Sequence, residues 1–435
     1  MLVFANIHAG EVAGKEAALM VLRDIALGRH DDWADSLVVM VAPIYNADGN
    51  ERVDTGNRRL QNGPVDGMGQ RRNADGLDLN RDFMKLASPE ARALVGFLRD
   101  VDPHVVVDLH TTNGTHMGYH LTYAPPLSPN TPEAIDQHLR DDWLPEISAE
   151  ILRTDDMATD HYGNVPGAFG EPADRVPRGW YSFSPQPRFG TNYGGVRGRY
   201  AILSEAYSYA TFGERVHVTK RFVEAILDRA ARDASGVRAR TEAADRQRLI
   251  GETLTVRAFF TEPESTREIL MGAVDTLRHP ETDEPIYQRL PVRTPETMPV
   301  FSRFNPTETQ TVPPGYAVPT SARGVLELLA FHGIEFEDAV PLARWEEFEM
   351  DSVRTSPRAY EGVFQQEAFG EWVSYVNVDE PQAPANSVWV PMDQPLARLA
   401  FMLLEPRSDD GVVNWAIVPL DGVTTYPILR GWPAE

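Results

Sequence analysis

Residues 1–28 read MLVFANIHAGEVAGKEAALMVLRDIALG: an apolar run, a break at His8-Ala9-Gly10-Glu11, then apolar residues at helical spacing. This pattern predicts a short buried strand, MLVFANI, that feeds a helix. The alternation repeats outward along the chain. DSLVVMVAPI (35–44) reads as a second strand, closed by the turn-forming Asn46-Ala47-Asp48-Gly49. A Gly/Asn/Arg-rich stretch at about 50–77 has no periodicity, and an aperiodic loop of that length in a compact domain is usually functional. SPEARALVGFLRDV (88–101) predicts a helix and HVVVDLH (104–110) a strand. TPEAIDQHLRDDWLPEISAEILR (131–153) reads as one long helix, and a polar loop covers 155–198. RYAILSEAY (199–207) is a buried strand, and ERVHVTKRFVEAILDRAARDA (214–234) is a closing helix. Apolar strands between amphipathic helices imply a three-layer α/β/α unit on a mixed, mostly parallel sheet, over residues 1–235.

Residues 236–435 read differently. TLTVRAFF, VWVPM, LARLAFMLL and NWAIVPL are short apolar segments between Pro-, Gly- and Asp-rich turns, which predicts a β-rich second domain. SARGVLELLAFHG (321–333) is the one helix expected in it, and the charged helix at about 213–247 is the expected linker.

The chain has 435 residues, 41 Lys and Arg against 64 Asp and Glu, and a net charge of −23. A negative field of that size excludes a phosphate-backbone binder, so no nucleic-acid partner is expected. No segment approaches the ~18–20 apolar residues of a membrane span. Cysteine is absent. Disulfides, thiolate metal sites and cysteine nucleophiles are therefore excluded, and any metal must sit on His, Asp and Glu. Met1 opens directly into a buried strand, so further elements are expected upstream. An exported, periplasmic or secreted location follows if a signal peptide precedes them. The oligomeric state is not legible.

His8-x-x-Glu11 gains meaning from its place at a strand end, because catalytic groups of open α/β sheets collect there. The pattern also occurs at His138/Asp141, read as a solvated helix face, and at His332/Glu335. His110 ends a second apolar strand. His8, Glu11 and His110 together make a three-ligand site with an open fourth position, the catalytic zinc arrangement. The alternative is two unrelated strand-end histidines satisfied by hydrogen bonds. Asn80 and Arg81, in GLDLNRDF, can clamp a carboxylate, or can form an Asx turn with a surface Arg. Glu205, inside AILSEAY, is costly to bury unless it is paired or functional. Beside a metal it is a general-base candidate.

In order along the chain, NIHAGE (6–11), YNADG (45–49), GLDLNRDF (76–83), VVVDLHTTNG (105–114) and AILSEAY (201–207) resemble the zinc carboxypeptidases of the A/B type. The resemblance covers roughly residues 1–235. It implies one Zn2+ per chain on His8, Glu11 and His110, with Glu205 as general base and acid toward a zinc-activated water. It implies that Asn80 and Arg81 hold the terminal carboxylate of a peptide substrate. Asp78 would accept from the outer nitrogen of His8. A loop arginine, Arg71 or Arg72, would polarise the scissile carbonyl, with Arg71 preferred. Tyr181 or Tyr193 would cap the substrate, and Arg188 and Arg197 are either selectors of acidic leaving residues or plain surface arginines. The function implied is removal of C-terminal residues from peptides. Two other functions use the same residues: a zinc amidohydrolase acting on N-acyl amino acids, and a non-catalytic binding protein on a peptidase fold.

Overall fold

The computed structural model describes residues 1–169, 174, 176–280, 283–420 and 422–434. Part of the predicted 155–198 loop, residues 170–173 and 175, lies outside them. The first strand, β1 (Leu2–Ala5), leads into α1 (Ala13–Ala26). There follow β2 (Met40–Ala42), α2 (Ala47–Glu51), α3 (Pro89–Val101), β3 (Val105–Thr112) and β4 (Leu121–Ala124). Next are α4 (Glu133–Gln137), α5 (Leu144–Asp155), β5 (Thr159–His161), β6 (Trp180–Tyr181), α6 (Gly190–Val196), β7 (Tyr200–Tyr207), α7 (Phe212–Arg232) and α8 (Ala234–Arg246).

Six of these strands form one sheet in the order β2-β1-β3-β7-β4-β5. All neighbours are parallel except β4 against β7. Alternation along each strand explains why both faces are apolar. Met1, Val3, Ala5, Val105, Val107 and Leu109 pack with Ala18, Val21 and Phe222 of α1 and α7. Leu2, Phe4 and Val106 point the other way, to Leu94, Val95 and Leu98 of α3 and to Tyr193 and Val196 of α6. The three-layer α/β/α reading of the N-terminal half therefore holds. One predicted element is shorter than expected: the 35–44 strand pairs only over Met40–Ala42. The helix expected at 131–153 is present as a continuous helical run, Glu133 to Asp155, whose middle, His138–Trp143, is π-helical just before Pro145, which has no N–H to continue the ladder.

From residue 253 onward the chain is mostly antiparallel, as expected for a β-rich half. One six-stranded sheet joins Glu337–Asp338, Ser387–Pro391, Gly315–Pro319, Leu429–Pro433, Leu342–Thr355 and Gln366–Val376 in that spatial order. The expected helix is α9 (Arg323–His332). LARLAFMLL is not a strand but α10 (Ala397–Leu404), buried on all sides. An apolar run reads alike as buried strand or buried helix, and Leu, Ala and Met favour the helix. NWAIVPL is a turn region, in which Ala416 takes a left-handed conformation.

The two halves share one core. The cluster under α3 and α6 continues into Val312, Tyr316, Leu329 and Phe401. Strand Thr294–Phe301 pairs with β6, which carries the second half onto the first. Among the described residues no helix is long and apolar enough to cross a membrane.

Candidate active site

The carboxyl ends of β1, β3 and β7 meet at one cavity of about 370 Å³. Its wall includes His8, Glu11, His110, Glu205, Arg71, Asn80 and Arg81. After β1 the chain turns sharply at Asn6, which has a positive φ and whose amide donates to the Ala9 carbonyl. That turn brings His8 and Glu11 to the same side, and the Glu11 N–H donates to the His8 carbonyl. Asn46 holds the turn from outside: its side-chain amide donates to the carbonyls of Ile7 and Arg71, and its oxygen accepts from Gly49 N at the start of α2.

The Glu11 carboxylate is the hub. Oε1 lies 3.0 Å from His8 Nδ1, and Oε2 lies 2.9 Å from His110 Nδ1 and accepts from Thr111 N at 3.0 Å. Arg58 also donates to Oε1. Burial alone would raise the carboxyl pKa, but His8 and Arg58 outweigh it and hold Glu11 well below the usual range. The ligand atoms of His8, Glu11 and His110 all lie within 4.8 Å of one another. Two imidazole nitrogens and a carboxylate are a donor set that suits zinc. Asp24, His30 and Glu224 form a second such group, but Lys220, Arg29 and Arg221 already pair its carboxylates.

Asp78 lies behind His8. Its Oδ1 is 3.0 Å from His8 Nε2, and Arg71 Nε donates to its Oδ2 at 2.9 Å. Burial is again outweighed, here chiefly by His8, so Asp78 stays ionised and can only accept. Its contact with His8 therefore fixes Nε2 as protonated and leaves Nδ1 facing the cavity. Asp108 Oδ2 stands 2.9 Å from His110 Nε2, off the hydrogen-bond direction.

Glu205 lies directly across from His110 in the parallel β3–β7 pairing, and its Oε2 is buried without a hydrogen-bond partner. Burial pushes its carboxyl up to about 8 against the opposing pull of His110. Asn80 Oδ1 accepts from Gly190 N, which ties the 3-10 turn Leu79–Arg81 to α6. The Arg81 guanidinium sits 4.0 Å from the centre of the Phe189 ring and donates to the Asn80 carbonyl.

Several expected residues lie elsewhere. Tyr193 does not face the cavity: it is fully buried in α6, and its hydroxyl meets His332 Nδ1 of α9 at 2.8 Å. Tyr181 stacks on Phe301 and donates to the Pro177 carbonyl. Arg72 points outward to Glu361. Arg188 and Arg197 are neither acid selectors nor surface residues. Arg188 is buried against Asp410 and Asp409, and Arg197 donates to the carbonyls of His332 and Leu98. His138 is not a solvated face, because it meets the Tyr200 hydroxyl at 2.7 Å. In their place the cavity takes Arg58 and Tyr162, and its wall also includes Phe183, Phe189, Thr191 and Leu203. A sequence signal for Arg58 existed only in retrospect. A Cβ at Gly10 would come within 2.5 Å of Arg58 Cγ, so the glycine before Glu11 makes room for that arginine.

Residues 1–140 match the family model described as zinc carboxypeptidase. A curated relative, Carboxypeptidase 2 of Trichophyton equinum, is 22% identical over 454 aligned positions, which cover 98% of this chain and 75% of the relative. A metallo-carboxypeptidase structure from Pseudomonas aeruginosa, in complex with (2-guanidinoethylmercapto)succinic acid, is 17% identical with a TM-score of 0.37, covering 55% of this chain and 57% of that one. One from Burkholderia cenocepacia is 17% identical with a TM-score of 0.37, covering 54% and 57%. The chain thus spans little more than half the length of these solved structures.

Proposed function

With residues 1–140 related to the zinc carboxypeptidases, we propose that this chain is a zinc-dependent exopeptidase that removes C-terminal residues from peptides. The observation that carries the reading is the convergence of His8, Glu11, His110, Glu205 and Arg81 on one cavity. His8, Glu11 and His110 hold the metal. When bound there, zinc supplies Lewis acidity, which acidifies water and polarises the peptide carbonyl. Glu205 takes the proton from the attacking water and passes it to the leaving amine. Its buried, raised carboxyl is suited to both halves of that task. Arg71, anchored on Asp78 and 3.3 Å from His8 Nδ1, stands where negative charge develops on the carbonyl oxygen. Arg81 and Asn80 receive the free C-terminal carboxylate, so binding itself selects the last peptide bond. Phe183, Phe189, Thr191 and Leu203 offer the leaving side chain an apolar wall, which favours aromatic or large aliphatic C-terminal residues.

The test is paired kinetics on a free-acid peptide and its C-terminal amide. Hydrogen bonds to a charged group are worth about 1.5–3 kcal/mol each, so the amide should be slower by at least tenfold. Arg81→Ala should reduce that preference, with most of the loss on the free acid. Equal rates on acid and amide with the wild-type protein would remove the exopeptidase reading. Turnover of N-acyl amino acids without shortening of longer peptides would move the function to the amidohydrolase.

A further inference from the structure

A side chain of the second half, Glu361, reaches the loop that stands behind the metal site. Between strands Leu342–Thr355 and Gln366–Val376 the hairpin ends in Glu361-Gly362, both at positive φ. Glycine adopts that conformation freely, whereas a glutamate does so at a cost and persists there only where its surroundings hold it. Here they do. The Glu361 side chain is 4% exposed, although it sits at the tip of a hairpin. Its Oε2 accepts the backbone N–H of Asp78 at 2.8 Å, across 283 residues of sequence. Both oxygens are also gripped by the Arg72 guanidinium, at 3.0 and 3.1 Å, and Arg72 donates onward to the Gly76 carbonyl.

Asp78 caps the 3-10 turn that carries Asn80 and Arg81, and its own carboxylate fixes His8 and Arg71. Rotation of the Asp78 peptide would swing that carboxylate away from His8 Nε2. Within its own loop that peptide is held only by its carbonyl end, where the Leu77 oxygen accepts from Asn73 N at 3.0 Å, while the Asp78 N–H itself goes to Glu361. We propose that Glu361 is a positioning residue for the metal site: by accepting the Asp78 N–H it holds Asp78 on His8, so that the second half completes the ligand geometry of the first. This rests on the zinc-site reading above.

The experiment measures zinc affinity of the full chain by competition with a chromogenic chelator, independent of turnover. Partners behind a metal ligand typically govern about 10–100-fold in affinity. Glu361 acts one step behind Asp78, so Glu361→Ala should weaken zinc toward the lower end of that range, by about tenfold. Glu361→Asp keeps the charge but loses reach, and should weaken it similarly. Glu361→Gln keeps an oxygen for the Asp78 N–H and should stay within about threefold of wild type. If the alanine variant does not fold, aspartate against glutamine makes the same comparison. Wild-type affinity in the alanine or aspartate variant overturns the proposal. Equal weakening in aspartate and glutamine overturns it too, since the Arg72 ion pair or simple packing would then be responsible. Wild-type protein that takes up no zinc overturns the site reading and this inference with it. Wild-type protein that binds zinc but cleaves no peptide removes the exopeptidase reading and leaves this test intact.

Discussion

Glu205 is the residue on which chemistry and sequence meet most directly. An acidic side chain in the middle of AILSEAY is tolerable only with a purpose, and the structure leaves its Oε2 buried and unpartnered opposite His110. Glu205→Gln is nearly isosteric but cannot accept a proton. Proton transfer of this kind contributes about 10²–10⁴-fold, so turnover should fall by that range while zinc content, read by metal analysis, stays at wild type. A variant retaining more than about a tenth of wild-type turnover would place the base elsewhere. The tyrosines behave oppositely. Tyr181 and Tyr193 stand at plausible distances before Glu205 in the sequence, yet one stacks on Phe301 and the other is sealed under α9. Sequence separation along an aperiodic loop carries no information about direction.

At the scale of elements, the close fit of α1 against β3 sets the relation between Glu11 and His110. A Cβ on Gly14 would lie 2.8 Å from Leu109 Cβ and 3.1 Å from its carbonyl oxygen, one residue before His110. Helix propensity alone makes Gly14→Ala stabilising by about 1 kcal/mol. The clash opposes this, because overpacking against a neighbouring Cβ and backbone costs about 1–3 kcal/mol. The expected net result is a lower denaturation midpoint at unchanged slope, measured by urea unfolding. A more stable variant would show that α1 can retreat from the sheet without penalty.

Across the whole molecule, the two halves are joined by a buried polar contact as well as by shared core. His332 of α9 is fully buried, with Nδ1 at the Tyr193 hydroxyl and Nε2 3.0 Å from the Met84 carbonyl. Burial lowers its pKa to about 3, from an ordinary value of 6.5. Between those values the unfolded chain binds a proton that the folded protein refuses. The stability present above pH 6.5 is therefore lost progressively as pH falls toward 3. By linkage the total loss is on the order of 5 kcal/mol. His332→Gln has no such titration. The wild type should lose more melting temperature between pH 7.5 and 5 than the variant does. Parallel pH profiles would mean that His332 is solvated or already charged in the folded state.

How far the sequence reached depends on the range of the interaction involved. Apolar periodicity is local, so the three-layer N-terminal half was legible; strand-end position singled out His8, Glu11 and His110, and the cost of burying an acid inside an apolar strand singled out Glu205. Asp78 and Arg71 followed only from the resemblance of the motifs to the zinc carboxypeptidases. What the sequence could not decide was which way long aperiodic loops fold back. Arg58 enters the site over Gly10, Arg188 turns to Asp410, and Tyr193 goes under α9, each by contacts tens to hundreds of residues away. LARLAFMLL was ambiguous for a related reason: apart from Arg398 the run is apolar throughout and has no periodicity, so helix propensity and enclosure by the shared core together make it helix α10. The hydrogen bond from Asp78 N to Glu361 spans 283 residues and leaves no trace in either local sequence, because a backbone N–H is present at every residue except proline and only the packing of the two halves chooses its acceptor.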